Sequence, residues 1–283
     1  MILSFGGSQL ILEARNSAQL AWLPPSYLGF LLSDDQPTGV ITGNLTALKL
    51  NFSDNPFNHQ LTGKLVVNNS LWELRVNPRG NYIFKLTEVQ PKRWVMMEPG
   101  FQNGDVFIDQ NITGALDFYP LQYLDMILFS NYLANYGDFI LHASGVALAG
   151  SGYAFFGPSG AGKSTIADAL AGKPGITVLG EDQVILRYQD GQFWIYGTPW
   201  HVRADRCSPL GVPLKKLFFL DRSSPQTLSA LNASDGVLKI LQTAFIPYYR
   251  SELIGRILAG LEGLTTQVPF FTLAYQQGSN LVE

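Results

Sequence analysis

The chain has 283 residues, enough for one large or two modest hydrophobic cores. Charged residues make up 14% of the sequence, against roughly 25% in an ordinary globular protein, whereas the apolar share of 46% is ordinary. A net charge of -3 does not provide the basic face that nucleic acid requires. We therefore exclude nucleic-acid binding as a main function.

Cysteine usage and hydropathy bear on the compartment. Cys207 is the only cysteine, so no internal disulfide can form, and a secreted origin gains no support. The first residues do not place a basic segment before a sustained apolar run, as a secretory signal does. No window of the sequence approaches the roughly 20 apolar residues that span a bilayer. The sequence therefore predicts a cytoplasmic protein with no membrane partner.

From about residue 8 to 110, short runs alternate apolar and polar residues, and turn-forming pairs such as Pro99-Gly100 separate them. This pattern is typical of antiparallel strands that follow one another along the chain. We therefore expect a β-rich N-terminal domain over residues 1–115. The runs that carry the alternation are QLILEA, VITGNLTALKLNF, KLVVNN, LWELRV, NYIFKL, RWVMM and DVFID.

Residues 117–137 have apolar side chains at near-helical spacing and end on Gly137, which predicts an amphipathic helix that joins the two halves. The pattern then changes to strand, glycine-rich turn and helix, the setting of a nucleotide-binding α/β domain, which we expect over 116–283. Strands are predicted at FILHASGVAL, GYAFFG and ITVLGEDQVILRY and around 192–197, 216–220 and 268–275. Helices are predicted at KSTIADALAG, closed by Gly172, and around 235–245 and 249–262.

One segment fits the pattern G-x-x-x-x-G-K-[ST] without a mismatch, between a predicted strand and a predicted helix. With the threonine that follows, its residues are Gly157, Pro158, Ser159, Gly160, Ala161, Gly162, Lys163, Ser164 and Thr165. Its glycines let backbone N–H groups converge on phosphate oxygens beside the positive end of a helix. Lys163 would lie by the β- and γ-phosphates of ATP, and the Ser164 hydroxyl would bind a bridging Mg²⁺. Kinases, transporter motor domains and regulatory ATPases share such a loop, so it predicts the ligands and not the reaction.

Four further residues bear on the reaction. Glu181 and Asp182 follow the run ITVLG, where adjacent side chains of an extended backbone project to opposite sides. One carboxylate can then face Mg²⁺ and the other an acceptor hydroxyl, unless the pair is only a surface turn. His142 ends the strand that leads to the loop and is either a contact for the γ-phosphate or acceptor, or a core residue. Arg203 follows GTPW, in which we expect Trp200 to pack, and is either a cation of the site or a solvated charge.

Over roughly residues 138 to 220 these segments resemble the catalytic domain of the HPr kinase/phosphorylase family. The resemblance rests on HASGVAL, GPSGAGKST, the acidic pair in LGEDQVIL, and GTPW followed by Arg203. It implies an α/β P-loop nucleotide-binding domain of the HPr kinase and phosphoenolpyruvate-carboxykinase type. In the family an Asp-Asp pair takes up the proton of the acceptor serine and helps to hold metal. The resemblance therefore implies that Glu181 is the general base and Asp182 a metal ligand, and it assigns functional roles to His142 and Arg203.

We therefore expect an ATP-dependent kinase that transfers the γ-phosphoryl group to a serine hydroxyl of a peptide or protein, with Lys163 and Mg²⁺ neutralising charge. The alternative is an ATP-gated binding or regulatory module without phosphotransfer. A transporter ATPase is excluded because no Leu-Ser-Gly-Gly-Gln segment follows the loop. The first 110 residues match no regulatory domain of true HPr kinases, so we expect an acceptor other than HPr. True family members are hexamers, which leaves a homo-oligomer open for this chain.

Overall fold

The chain divides into two compact units. One unit comprises Met1–Ser4 and Ser8–Tyr132, and the other comprises Phe5–Gly7 and Leu133–Glu283. The sequence predicted two domains that meet between residues 115 and 116. Grouping by contacts does not test whether the parts fold independently, so this boundary stays a prediction. The computed structural model describes residues 1–13, 22–32, 47–52, 62–87, 89–108, 119, 121–200, 203–222 and 227–274. Within these ranges, no helix combines the length and the apolar character that a membrane span requires.

Eight strands of the described residues form one sheet in the N-terminal part of the chain. They are β1 (Ile2–Phe5), β2 (Ser8–Glu13), β3 (Ala47–Phe52), β4 (Lys64–Asn68), β5 (Trp72–Val76), β6 (Tyr82–Leu86), β7 (Arg93–Met97) and β8 (Asn103–Ile108). Their order in space is β1-β2-β3-β8-β7-β6-β5-β4. Strands β4 to β8 form the predicted antiparallel succession. The prediction was wrong for β3, which runs parallel to β2 and β8, because a parallel partner depends on a long connection and leaves no local pattern.

Helix α1 (Leu124–Ala134) lies inside the segment predicted to be helical. It ends before Gly137, whose φ of 79° is the left-handed conformation expected where a helix stops. None of its residues is exposed, so the prediction of an amphipathic helix was wrong. Residues 117, 118 and 120 of the predicted helix lie outside the described residues.

A second sheet and three helices follow. Its strands are β9 (Phe139–Leu148), β10 (Ser151–Phe156), β11 (Ile176–Gly180), β12 (Gln183–Gln189), β13 (Gln192–Gly197), β14 (Gly211–Asp221), β15 (Thr227–Leu231), β16 (Ala244–Phe245) and β17 (Phe270–Ala274). The helices are α2 (Lys163–Leu170), α3 (Ala233–Thr243) and α4 (Ser251–Gln267). The sequence predicted each of these elements except β15 and β16, and it predicted β11 and β12 as one strand. The fold is thus mixed α/β, preceded by a β-rich part.

Strand β9 is central because four strands pair with it. Its first half pairs with β12 and its second half with β10. Strand β10 in turn pairs with β14, β14 with β13, and β13 with β12. These five strands therefore form a closed cycle of hydrogen-bonded pairs. Strands β11 and β16 also pair with β9, and β14 continues through β17 to β15.

A buried ion pair fixes the start of β9. The Asp138 carboxylate accepts from Arg187 Nε at 2.8 Å and from the Tyr188 backbone N–H at 3.0 Å. Burial raises the pKa of Asp138, and the Arg187 charge opposes that shift. Asp138→Ala should lower the free energy of unfolding by about 3–5 kcal/mol, because it removes the carboxylate that compensates the buried Arg187 charge. Denaturant unfolding measures this change.

The matched control is Glu262→Ala, which removes an exposed carboxylate from α4. We expect it to change the free energy of unfolding by no more than about 0.5 kcal/mol, as exposed substitutions usually do. An equal, small effect of both substitutions would show that the Asp138–Arg187 pair does not stabilise the second sheet.

Candidate functional site

A glycine-rich loop, residues 157–162, connects β10 to α2. Gly160 and Gly162 have φ angles of 76° and 100°, a conformation that strains any residue with a Cβ. A Cβ on Gly160 would meet no atom within 4 Å, so backbone conformation and not space requires glycine there. Gly162 is the N-cap residue of α2, and its carbonyl accepts from Ile166 N at 3.0 Å. The loop therefore lies directly at the N-terminal end of α2, where the helix dipole is positive.

Lys163 is the first residue of α2, and its side chain turns back into the loop. Its Nζ donates to Gly157 O and to Pro158 O, both at 3.0 Å. The residue is only 6% exposed, and burial lowers the pKa of Lys163, while the charge of Asp182 opposes the shift. Across the described residues, no carboxylate lies within ion-pair distance of this ammonium. A buried cation of this kind is costly until an anion compensates it.

The remaining loop residues differ in exposure. Pro158, Ser159 and Gly160 are exposed, whereas Ala161 is buried. Ala161 packs with Ile166 and Phe155 in an apolar cluster that holds the loop against the sheet. Ser164 is exposed on the first turn of α2 and Thr165 is half-buried. The exposed side of the loop is thus formed by its turn and by the Ser164 hydroxyl.

The acidic pair joins β11 to β12 alongside β9. Ser144 Oγ donates to Glu181 O at 2.8 Å, and Ala143 N donates to Asp182 O at 3.0 Å. The chain bends at this pair, so the strand predicted for ITVLGEDQVILRY is divided into β11 and β12. The two backbone carbonyls accept hydrogen bonds from the Ser144 side chain and from the backbone of β9. Both residues are half-buried.

The two carboxylates have different neighbours. Asp182 Oδ1 lies 3.3 Å from His142 Nδ1, whereas Glu181 Oε1 lies 3.8 Å from Arg203 Nε. His142 Nδ1 also lies 3.0 Å from the Asp182 carbonyl, which can only accept, so this ring nitrogen carries the proton. The His142 side chain is 30% exposed and is not a core residue. The structure thus brings His142 and Asp182 together and places Glu181 beside Arg203, and the charge of Asp182 acts on the pKa of Lys163.

Arg203 is attached to the helix that begins with Lys163. Its Nη2 donates to Asp168 Oδ1 on α2 at 2.8 Å, and Arg206 Nε donates to the same oxygen at 3.1 Å. The Arg203 side chain is 56% exposed, so these pairs contribute little to stability. They set where the guanidinium lies. Sequence reasoning missed Asp168 and Arg206, although Asp168 is on the same helix as the loop lysine.

Three other residues lie around the acidic pair: Gly197 and Thr198 belong to the GTPW segment, whereas Gln183 was not singled out in the sequence. Thr198 Oγ1 donates to Gln183 O at 2.8 Å, and Gln183 Nε2 donates to Asp182 Oδ2 at 3.3 Å. A Cβ on Gly197 would lie 2.0 Å from Ser208 O and 2.2 Å from Leu179 O, so only glycine fits there. The sequence signal that could have identified Gln183 is a polar residue directly before the buried apolar residues Val184–Leu186. Trp200 is 2% exposed with its ring 5.5 Å from that of Phe5, so it packs as expected.

Cys207 is half-buried. Burial raises the pKa of its thiol to about 11, and the charges of Asp205 and Glu181 add to that shift. The thiol is therefore protonated at neutral pH and is a poor nucleophile. It is also sensitive to the charge on Glu181.

Comparison with known proteins gives little beyond this geometry. No protein-family model and no curated protein matches the chain. Among the solved structures that match is the HPr(Ser) kinase/phosphatase from Coxiella burnetii, at 15% sequence identity. The match covers 50% of this chain and 82% of that chain, with a TM-score of 0.28. A TM-score of this size carries no argument, so the function has to be inferred from the residues of the site.

Proposed function

We propose that the chain is an ATP-dependent kinase that transfers the γ-phosphoryl group to a serine hydroxyl of a peptide or protein. The proposal includes an α/β P-loop domain of the HPr kinase type. One observation carries it: a glycine-rich loop at a helix N-terminus encloses a buried lysine ammonium that two carbonyl oxygens hold. Backbone amides, a helix dipole and a cation at one point favour a polyphosphate ligand.

The loop residues would bind the phosphates. Lys163 Nζ would exchange its two carbonyl acceptors for phosphate oxygens, which compensate its charge better than neutral carbonyls do. The backbone N–H groups of Gly157–Thr165, except at Pro158, which has none, would donate to the same anion. Arg203 and His142 would add a guanidinium and an imidazole near the transferred group. These interactions stabilise the negative charge of phosphoryl transfer.

The oxygen donors near the loop fit Mg²⁺. Asp182 supplies a carboxylate and Ser164 a hydroxyl, the ligand types that Mg²⁺ prefers. Among the residues that the structure describes, no group of three or more His, Cys, Asp and Glu side chains could hold a metal ion by itself. When bound, Mg²⁺ neutralises part of the phosphate charge.

Glu181 is the proposed general base. Its carboxylate would accept the proton of the acceptor serine, while the Arg203 guanidinium at 3.8 Å keeps the carboxylate oriented. Because Asp182 Oδ1 lies 3.3 Å from His142 Nδ1, this carboxylate already has a partner and is less suited to the task. The two acids would therefore divide proton transfer and metal binding between them.

The same contact favours the second candidate, an ATP-gated binding or regulatory module without phosphotransfer. Glu181 Oε1 is within ion-pair distance of Arg203 Nε, so a guanidinium competes with any acceptor hydroxyl for the base. In such a module Glu181 would transmit nucleotide binding to the Arg203 segment, and no phosphate would be transferred.

One experiment separates the two functions. The protein is incubated with labelled ATP, Mg²⁺ and candidate peptides and proteins, including products of neighbouring genes, and the acceptors are analysed by mass spectrometry. The kinase predicts a phosphoserine on an acceptor. Tight ATP binding with no phosphorylated acceptor supports the module. Absence of any nucleotide affinity in calorimetry with Mg²⁺ present excludes both.

A further inference from the structure

Gln183 is a buried amide next to the acidic pair. It is 2% exposed, and it pairs with His142 across β9 and β12. Its backbone carbonyl accepts from Thr198 Oγ1 at 2.8 Å, so the residue is fixed at its backbone. Its Nε2 donates to Asp182 Oδ2 at 3.3 Å. Among the residues that the structure describes, the side chain therefore hydrogen-bonds to one group, a carboxylate of the site.

The orientation of the amide follows from charge. The Asp182 carboxylate is an acceptor only, so the NH₂ group of Gln183 faces it, and the reversed amide would set two oxygens against each other. The carboxylate has His142 Nδ1 at Oδ1 and the amide at Oδ2. Two donors on different oxygens fix the plane of a carboxylate that otherwise rotates about its last bond.

The other end of the amide has no such partner. Gln183 Oε1 is buried and, within the part of the chain that the structure describes, accepts no hydrogen bond. A buried acceptor without a donor is unfavourable by about 1–3 kcal/mol, and such exceptions in folded proteins usually mark a site that water or a ligand completes. An apolar side chain of the same size would therefore suit folding better. The amide is not explained by stability.

We propose that Gln183 is the positioning residue for Asp182, which it holds in the orientation that binds the divalent cation. This inference rests on the proposed function, because it takes Asp182 as the metal ligand. Side chains that orient metal ligands change metal affinity by roughly 10–100-fold when they are replaced.

The test measures metal binding directly. Gln183→Met keeps the length of the side chain and removes both the donor and the orphaned acceptor. The affinity of protein with bound ATP for Mn²⁺ is measured by electron paramagnetic resonance, and the affinity for ATP in excess EDTA by calorimetry. We expect Mn²⁺ affinity to fall roughly 10–100-fold, metal-free ATP affinity to stay native, and the melting temperature to stay equal or rise.

Thr198→Val is the matched control, since it removes a hydrogen bond to the backbone of Gln183 and leaves the amide in place. It should keep native Mn²⁺ affinity. If Gln183→Met does not fold, Gln183→Leu serves in the same assays. Native Mn²⁺ affinity in a folded Gln183 variant overturns the inference and leaves the kinase proposal standing. Native protein whose ATP affinity does not respond to metal overturns both.

Discussion

Replacing Lys163 with methionine should abolish binding of MgATP and reduce phosphoryl transfer by on the order of 10²–10³-fold or more, the usual effect of removing one transition-state donor. The reason is that, in the described part of the chain, the Lys163 ammonium is the one side-chain charge that hydrogen-bonds to the carbonyls of the glycine-rich loop. Methionine fills nearly the same volume, so the loss would come from charge and not from packing. Calorimetry with ATP and Mg²⁺ measures the binding.

The Lys163→Met substitution should also affect stability, and in the opposite direction to its effect on ATP binding. Burial lowers the pKa of Lys163, so the folded state binds protons less tightly than the unfolded state does. Native stability therefore rises with pH between the lowered pKa and the ordinary lysine value, and below that range the charge destabilises the fold. The variant should lack this rise and should melt no earlier than native protein at neutral pH.

Lys173→Met is the control, because Lys173 follows the C-terminal end of α2, whereas the glycine-rich loop precedes its N-terminal end. It should bind MgATP like native protein. A Lys163→Met variant that binds MgATP with native affinity would refute the proposed phosphate site, whichever function the protein has.

The Glu181→Gln variant should lose phosphoryl transfer by roughly 10²–10⁴-fold in kcat while its affinity for MgATP stays native. Glutamine keeps the shape of the side chain and cannot take up the acceptor proton. The control is Asp182→Asn, which should show the opposite pattern, with metal-dependent ATP binding weakened first. Single-turnover assays and calorimetry separate the two effects.

Cys207 reports independently on the Glu181 substitution. The charge of Glu181 helps to raise the pKa of the Cys207 thiol, so that pKa should fall in Glu181→Gln. The pH dependence of thiol alkylation measures it. A native thiol pKa together with native transfer would show that Glu181 neither faces Cys207 nor acts as the base. Native transfer with a lowered thiol pKa would remove Glu181 from the chemistry and favour another base.

Local patterns in the sequence predicted the local structure well. The strands of the alternating runs, the pair β9 and β10, and the start of α2 at Lys163 all follow from periodicity, glycine and the phosphate-loop pattern. The parallel pairing of β3 and the short strands β15 and β16 were missed. The strands that pair with them lie far away in the sequence. In β15 nearly every residue is exposed, so buried and exposed residues do not alternate along it.

The candidate site was predictable in its residue types and less so in its contacts. The adjacent carboxylates and the histidine before the loop were recognised from sequence and resemblance. Their partners were not, because Gln183 lies in an apolar run and Asp168 on the surface of α2. Such contacts depend on how strands β9 and β12 are aligned, and only the three-dimensional register sets that.

The closed cycle of β9, β12, β13, β14 and β10 limits how the site responds to a ligand. The backbone that carries His142 and the acidic pair cannot shift without breaking several ladder hydrogen bonds at once. Adjustment is left to side chains, namely the release of the Lys163 ammonium from its carbonyls and of Arg203 from Asp168. Rotamer changes take nanoseconds in exposed residues such as Arg203, so the backbone of the candidate site is in place before a ligand arrives.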